Sequence, residues 1–170
     1  MEPIRIVDYD PAWEASFASE RDAIVAALGE AGRGVVAIEH IGSTAVPGLA
    51  AKPVIDIMIG VGAVADDVPC ITPIVHLGYK CMGEFGIPGR LYFRKGKPRS
   101  HHIHMAVHGS DFWRDQTGFR DLLRARPDLA NEYAALKREL AARYGADHTG
   151  YIDAKTPFIQ SALGQALPRR

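Results

Sequence analysis

Apolar positions recur at helical spacing over residues 11–29, where Trp13, Phe17, Ile24 and Leu28 lie 4, 7 and 4 residues apart. Asp10 followed by Pro11 makes a cap and first-turn pair, and Gly29 a stop, so this segment is predicted to be an amphipathic helix. Two strands are predicted next, GVVAIEHIG (34–42) and KPVIDIMIGV (52–61), joined by a connection rich in Gly, Ser, Thr and Pro. Residues 66–79 read as a helix interrupted by proline. Three strand-like pieces follow between Gly and Pro turns: YKCMGEF, RLYFRKG and HHIHMAV. From Ser110 the period returns to 3.6. Trp113, Phe119, Leu122 and Leu123 fit one helix. Leu129, Tyr133, Leu136, Leu140 and Tyr144 fit a second, opened by Pro127 and closed by Gly145. A third is predicted over 154–167. This order predicts a single α+β domain, with a sheet-containing core over 1–109 and a helical C-terminal part over 110–170. The stripes of the last helices read as core, and the final PRR as a frayed tail.

Composition changes this picture little. At 170 residues, 47% hydrophobic and 24% charged, the chain is ordinary for a soluble globular protein. The longest apolar stretch, PVIDIMIGVGAVA, is too short to span a membrane and carries Asp56. The acidic N-terminus lacks the apolar region of a signal peptide, and Cys70 and Cys81 form no CxxC, so the expected location is the cytoplasm, with no membrane partner. Zero net charge argues against bulk nucleic-acid binding. The zero is nonetheless split. Residues 1–85 hold five basic and twelve acidic side chains, and residues 86–170 fifteen basic and eight acidic, giving −7 and +7. The halves either pair with each other or meet around an anionic ligand.

Candidate chemistry concentrates between residues 38 and 61. Gly42, Ser43 and Thr44 end a strand, where small residues let backbone N–H groups approach phosphate. A helix opening there would add its dipole. Alone, such a turn reads as a plain strand end. Thirteen residues after Ser43, however, Asp56 sits in an apolar strand, where a charge is costly unless something binds it. This spacing resembles the GS…DxD of the polymerase-beta-like nucleotidyltransferase fold, whose aspartates at i and i+2 share one strand face and hold metal ions. Here the i+2 position is Met58, and a thioether is a poor ligand for magnesium.

The run IEHIGSTAVPGLAAKPVIDIMIGV resembles the signature of the GrpB family, which is also met fused to dephospho-CoA kinases. The likeness continues through YDPAW, GYK…GEFGIPGRLYFRKG, RSHHIHM, FRDLLRARPDLANEYAALK and YIDAKTPFI. The resemblance implies a nucleotidyltransferase-like mixed sheet flanked by helices, with Met58 a trait of the family.

Four of seven histidines lie between 101 and 108, and on a strand His102 and His104 face one way. They suit a ligand bracket, a metal pair or an acid–base couple near neutral pH. In a nucleotidyltransferase fold, one of them would stand where a later strand supplies the third metal ligand. Histidine-triad hydrolases share the HxH, but the third position here is Ala106. Asp56, His102 and His104 are therefore the expected catalytic group. Asp56 and His104 are the candidate ligands of one divalent cation, magnesium or manganese, with zinc the poorer choice. Arg94 and Arg99 in the basic hairpin, Lys52, Arg120 and Lys155 join Gly42, Ser43 and Thr44 as expected contacts for a phosphorylated or otherwise anionic small molecule, foremost a nucleotide. Binding is the leading expectation, and if the protein is an enzyme the expected chemistry is nucleotidyl transfer. The alternative is a binding or regulatory module that kept the fold and lost the chemistry.

Overall fold

A computed structural model describes residues 2–166. Its elements are α1 (Ala12–Leu28), β1 (Val35–Ile41), β2 (Ile55–Val61), α2 (Val68–His76), β3 (Lys80–Cys81), β4 (Leu91–Lys95), β5 (His101–Val107), α3 (Asp111–Ala125), α4 (Pro127–Tyr144) and α5 (His148–Ala166). The strands order as β1-β2-β5-β4-β3. β2 and β5 run parallel, and the other pairs are antiparallel. The sheet is mixed, and the class is α+β.

Period-2 alternation decides what each face carries. Ile55, Ile57, Ile59 and Val61 of β2, with Ile103 and Met105 of β5, join Ile24 and Leu28 of α1 and Ile74 of α2 in the main core. The opposite face of β2 presents Asp56, Met58 and Gly60. Met58 is fully buried against Ile41 and Trp113. Gly60 makes that possible, because a Cβ there would meet Trp113 Cζ3 at 2.7 Å. α3 thus closes one end of this face. Leu123 of α3, Tyr133 of α4 and Phe158 of α5 pack with Val46 and Leu49 of the 46–51 connection. The expected cap at Asp10 is present, its Oδ1 accepting from Ala12 N at 2.9 Å, and Ser110 caps α3, its Oγ accepting from Trp113 N at 3.3 Å. Gly145, at φ 56°, ends α4.

Three expectations need correction. The strand expected over 79–85 is only Lys80–Cys81, because Gly83, Gly86 and Gly89 at positive φ turn the chain into a loop. The third C-terminal helix begins earlier, at His148, and carries Pro157 inside it. No long helix opens after Gly42. A single 3-10 turn, Ser43–Ala45, stands there, too short for a useful dipole. Leu167 and the expected PRR tail lie outside the described residues. Among the described residues, no helix is long and apolar enough to cross a membrane.

Candidate functional site

Parallel pairing of β2 with β5 sets Asp56 opposite His102 and Met58 opposite His104. All four side chains share one face, so HxH on one strand brackets a single carboxylate on the next. Asp56 Oδ1 lies 3.1 Å from His102 Nδ1 and 3.2 Å from His104 Nε2. A carboxylate only accepts, so each of these ring nitrogens donates its N–H to it. Burial opposes the charge on Asp56, but the two imidazole contacts outweigh it and hold the carboxyl well below its ordinary range. Burial also pushes His104 down, with Asp56 only partly offsetting it. The remaining nitrogen of His104, Nδ1, sits 3.5 Å from Arg90 Nη1.

One ligand atom from each of Asp56, His102 and His104 lies within 4.8 Å of the others, so the three form a group that could hold a metal ion. One oxygen and two imidazole nitrogens suit manganese or zinc better than magnesium, which favours oxygens. A second ion has no carboxylate here, since Met58 fills the i+2 position with packed hydrocarbon and sulfur.

The face opens into a cavity of about 460 Å3 whose other end is cationic. Gly42, at φ 73°, leads into the Ser43 turn, and a Cβ on it would meet Asp56 Oδ2 at 2.8 Å. Only glycine lets the turn lie this close to the carboxylate. Lys137 of α4, 2% exposed, donates from Nζ to Ser43 Oγ at 2.8 Å and to the Ala50 carbonyl. Lys52 and Lys155 both lie against the Tyr151 ring, at 5.0 and 4.4 Å from its centroid. Burial, then the neighbouring cations Lys155, Arg138 and Lys52, bring Lys137 down to about 7. Burial and Lys52 bring Lys155 down to about 8, with Asp56 pulling the other way. Burial lowers Lys52 as well. Among the described residues the lysine in an ion pair is Lys95, with Glu20; none of these three has a carboxylate partner.

The expected residues are sorted by this geometry. Gly42, Ser43, Thr44, Lys52, Asp56, Arg94, His102, His104 and Lys155 all line the cavity. Arg94 lies with its guanidinium over the Phe85 ring and its buried Nε without a hydrogen-bond partner. Arg99 is exposed in the turn after β4 and does not line it. Arg120 faces away: its guanidinium is taken by Glu39, by Asp121 at 2.8 Å and by the His40 carbonyl at 3.0 Å. It lines a second, larger cavity of about 690 Å3 on the far side of the Ser43 turn. Arg90, of the same basic hairpin as Arg94, lines the cavity as well, and Lys137 and Phe85 are cavity residues not expected from the sequence. The signal for Lys137 is in the sequence, since Tyr133, Lys137, Leu140 and Tyr144 are spaced 4, 3 and 4 apart, which puts the lysine in the buried stripe.

The GrpB protein family model matches residues 3–165. The UPF0157 protein YqkA of Bacillus subtilis is 38% identical over 94% of this chain. The match covers 46% of YqkA, so the chain spans about half of that relative's length. A dephospho-CoA kinase of Mycolicibacterium paratuberculosis is 29% identical over 96% of this chain and 46% of its own. The crystal structure of GrpB from Enterococcus faecalis superposes with a TM-score of 0.87 at 35% identity, covering 96% of this chain and 97% of that one. With the family model matched from residue 3 to 165, the chain belongs to the GrpB family.

Proposed function

We propose that the cavity binds a nucleotide or closely related phosphorylated small molecule, its phosphates on the Ser43 turn and its metal-facing end at Asp56. One observation carries this reading. Lys137 is buried on the Ser43 turn, and the half-buried Lys52 and Lys155 line the same cavity, none of the three in an ion pair with a carboxylate among the described residues. Buried charge is costly unless it is paired, and a polyphosphate is the partner that matches three ammonium groups and a hydroxyl. The dephospho-CoA kinase relative, whose named activity acts on a nucleotide-containing molecule, points the same way.

In this reading Asp56 and His104 hold one divalent cation, manganese or zinc before magnesium, and His102 stays unligated, its Nδ1–H on Asp56 and its Nε2 free. Such an ion supplies charge neutralisation at a phosphate oxygen. The chain's own residues orient the phosphates, exclude water beneath Phe85 and Tyr92, and place His102 to take a proton from an acceptor hydroxyl. Nucleotidyl transfer, with pyrophosphate leaving, is the reaction this arrangement suits. Met58 favours a second reading, a binding module without turnover, because the second metal position is packed shut.

A thermal-shift and calorimetry series with nucleoside triphosphates and tripolyphosphate, with and without manganese, zinc or magnesium, tests the site. Stabilisation by these anions, lost in Lys137→Met, is expected, because a ligand that binds only the native state raises Tm by mass action. Metal-dependent enhancement should vanish in Asp56→Asn. If no phosphate compound stabilises the protein, or Lys137→Met responds like wild type, the proposal fails. Pyrophosphate release with candidate acceptors separates the enzyme from the module.

A further inference from the structure

The loop between β3 and β4 carries an unusual residue. Phe85, at φ 47°, is the non-glycine residue with positive φ among those described, set between Gly83, Gly86 and Gly89, which are also at positive φ. A bulky residue in that conformation is strained, and such strain persists where the surroundings or a function require it. One face of the Phe85 ring rests on the Arg94 guanidinium at 4.4 Å, and that guanidinium also lies 5.1 Å from the Tyr92 ring centroid. Even so, Phe85 remains 50% exposed.

A second exposed apolar side chain faces the same space. Ile152, on α5, is 54% exposed. Phe85 and Ile152 both line the Asp56 cavity, whereas the other large exposed hydrophobics (Val25, Val36, Val64, Val68 and Val75) line neither cavity. Two apolar groups, one from the loop and one from the helix that brings Lys155, are thus held in water at the opening of a polar cavity. Their exposure costs nothing once a flat, poorly hydrated surface lies on them. The cation behind Phe85 draws electron density from the ring, which favours stacking on an electron-rich heterocycle.

We propose that Phe85 and Ile152 form the jaw that takes the aromatic ring of the ligand, so that the substrate class is a nucleotide and not a sugar phosphate or an inorganic polyphosphate. This rests on the phosphate site proposed above, and the two are tested together but separably. Calorimetric dissociation constants are measured for ATP, GTP, CTP, UTP, ribose 5-phosphate and tripolyphosphate, on wild type, Phe85→Ala, Phe85→Tyr, Phe85→Gly and Lys137→Met.

Wild type is expected to bind at least one nucleoside triphosphate about tenfold or more tighter than tripolyphosphate, the range that stacking of one base supplies. Phe85→Ala and Phe85→Gly should lose that advantage and bind tripolyphosphate as wild type does, while Phe85→Tyr keeps it. Phe85→Gly, which relieves the backbone, should melt no lower than wild type, so its loss of nucleotide affinity is not a folding defect. Equal affinity of wild type for tripolyphosphate and every nucleotide, or unchanged nucleotide affinity in Phe85→Ala, overturns the jaw and leaves the phosphate site standing. A parallel fall in tripolyphosphate affinity in Phe85→Ala and Phe85→Gly also overturns it. Wild type that binds neither class overturns both.

Discussion

The two cavities lie on opposite sides of the Ser43–Ala45 turn and share Thr44 in their walls. The larger one contains two arginines, and both are occupied by the protein itself. Arg120 holds Glu39 and Asp121, and Arg124 donates from Nε to the Ala45 carbonyl at 2.9 Å. Its histidine, His40, is stacked on Phe17 and pushed down to about 4 by burial, with Asp56 pulling up and Arg124 and Arg120 adding to the fall. The smaller cavity holds three lysines without an ion-pair partner among the described residues, Lys137 buried and Lys52 and Lys155 half-buried, the last two within the field of the ionised Asp56. Volume therefore points to one cavity and unpaired buried charge to the other, and the charge is the better guide. Desolvating an ammonium group costs stability that the folded chain alone does not recover, whereas a large polar cleft with satisfied walls costs nothing.

That contrast can be attacked directly. The harshest trial puts a charge where no ligand reaches: Met58→Asp should lower unfolding stability by about 3–5 kcal/mol in urea titration, an uncompensated buried charge beside Asp56. A loss below 1 kcal/mol would mean the strand relaxes and the i+2 position is open to metal after all. Next is Lys137→Met, which should weaken tripolyphosphate binding about thirtyfold or more, since truncating one side of a buried charged contact is severe. The same change should leave the Tm of the free protein close to that of wild type, because removal of the buried charge offsets the lost hydrogen bonds to Ser43 Oγ and the Ala50 carbonyl. A drop in Tm with intact binding would reverse the roles assigned to the two cavities.

Weaker but sharper in sign is pH. Lys137 at about 7 and Lys155 at about 8 lie below the ordinary lysine value, so the free fold holds these groups less protonated than the unfolded chain does. Their burden on stability is fully present below about pH 7 and is relieved as pH rises toward the unfolded lysine value of about 10.4. An anion demands the charged forms. Its affinity should be greatest below pH 7 and fall about tenfold or more by pH 9, with proton uptake seen as buffer-dependent heats in calorimetry. Lys52 and Asp56 face the same space, and Asp56, held ionised, moderates the fall. The smallest effect belongs to the satisfied side. Arg120→Met should cost about 1–2 kcal/mol of stability through its lost hydrogen bonds to Glu39 and the His40 carbonyl, and should leave tripolyphosphate affinity within twofold.

Much of the scaffold is legible in the sequence, for local reasons. The cap at Asp10, the return of helical period from Ser110 and the alternation through 55–61 and 101–107 are periodic or one-residue signals. Asp56, His102 and His104 are legible too, since HxH on a strand points one way whatever lies around it. That β5 runs beside β2 is not written locally. It depends on a crossover that places residue 101 against residue 55. Nearness in sequence misleads for Arg99, two residues before His101 yet turned into solvent, and for Arg120, whose face of α3 looks toward Glu39 of β1. Lys137 was hidden by the opposite error. A stripe containing Tyr133, Leu140 and Tyr144 reads as core, and the lysine within it reads as an exception, although a charge in a buried stripe is the very thing that asks for a ligand. Phe85 could not be read at all, because loop conformation at Gly83, Gly86 and Gly89 fixes where it sits.

Gly42 carries a consequence for how such a site is inherited or redesigned. Its missing side chain leaves the Ser43 turn separated from Asp56 by backbone alone, so the spacing between these two ends has no adjustable part. Variation has to enter from the far walls, where α4 and α5 contribute Lys137, Ile152 and Lys155 and the 83–90 loop contributes Phe85. A chimaera that exchanges α4 and α5 between relatives should transplant preference for one anion over another while the Asp56 end is handed down unchanged.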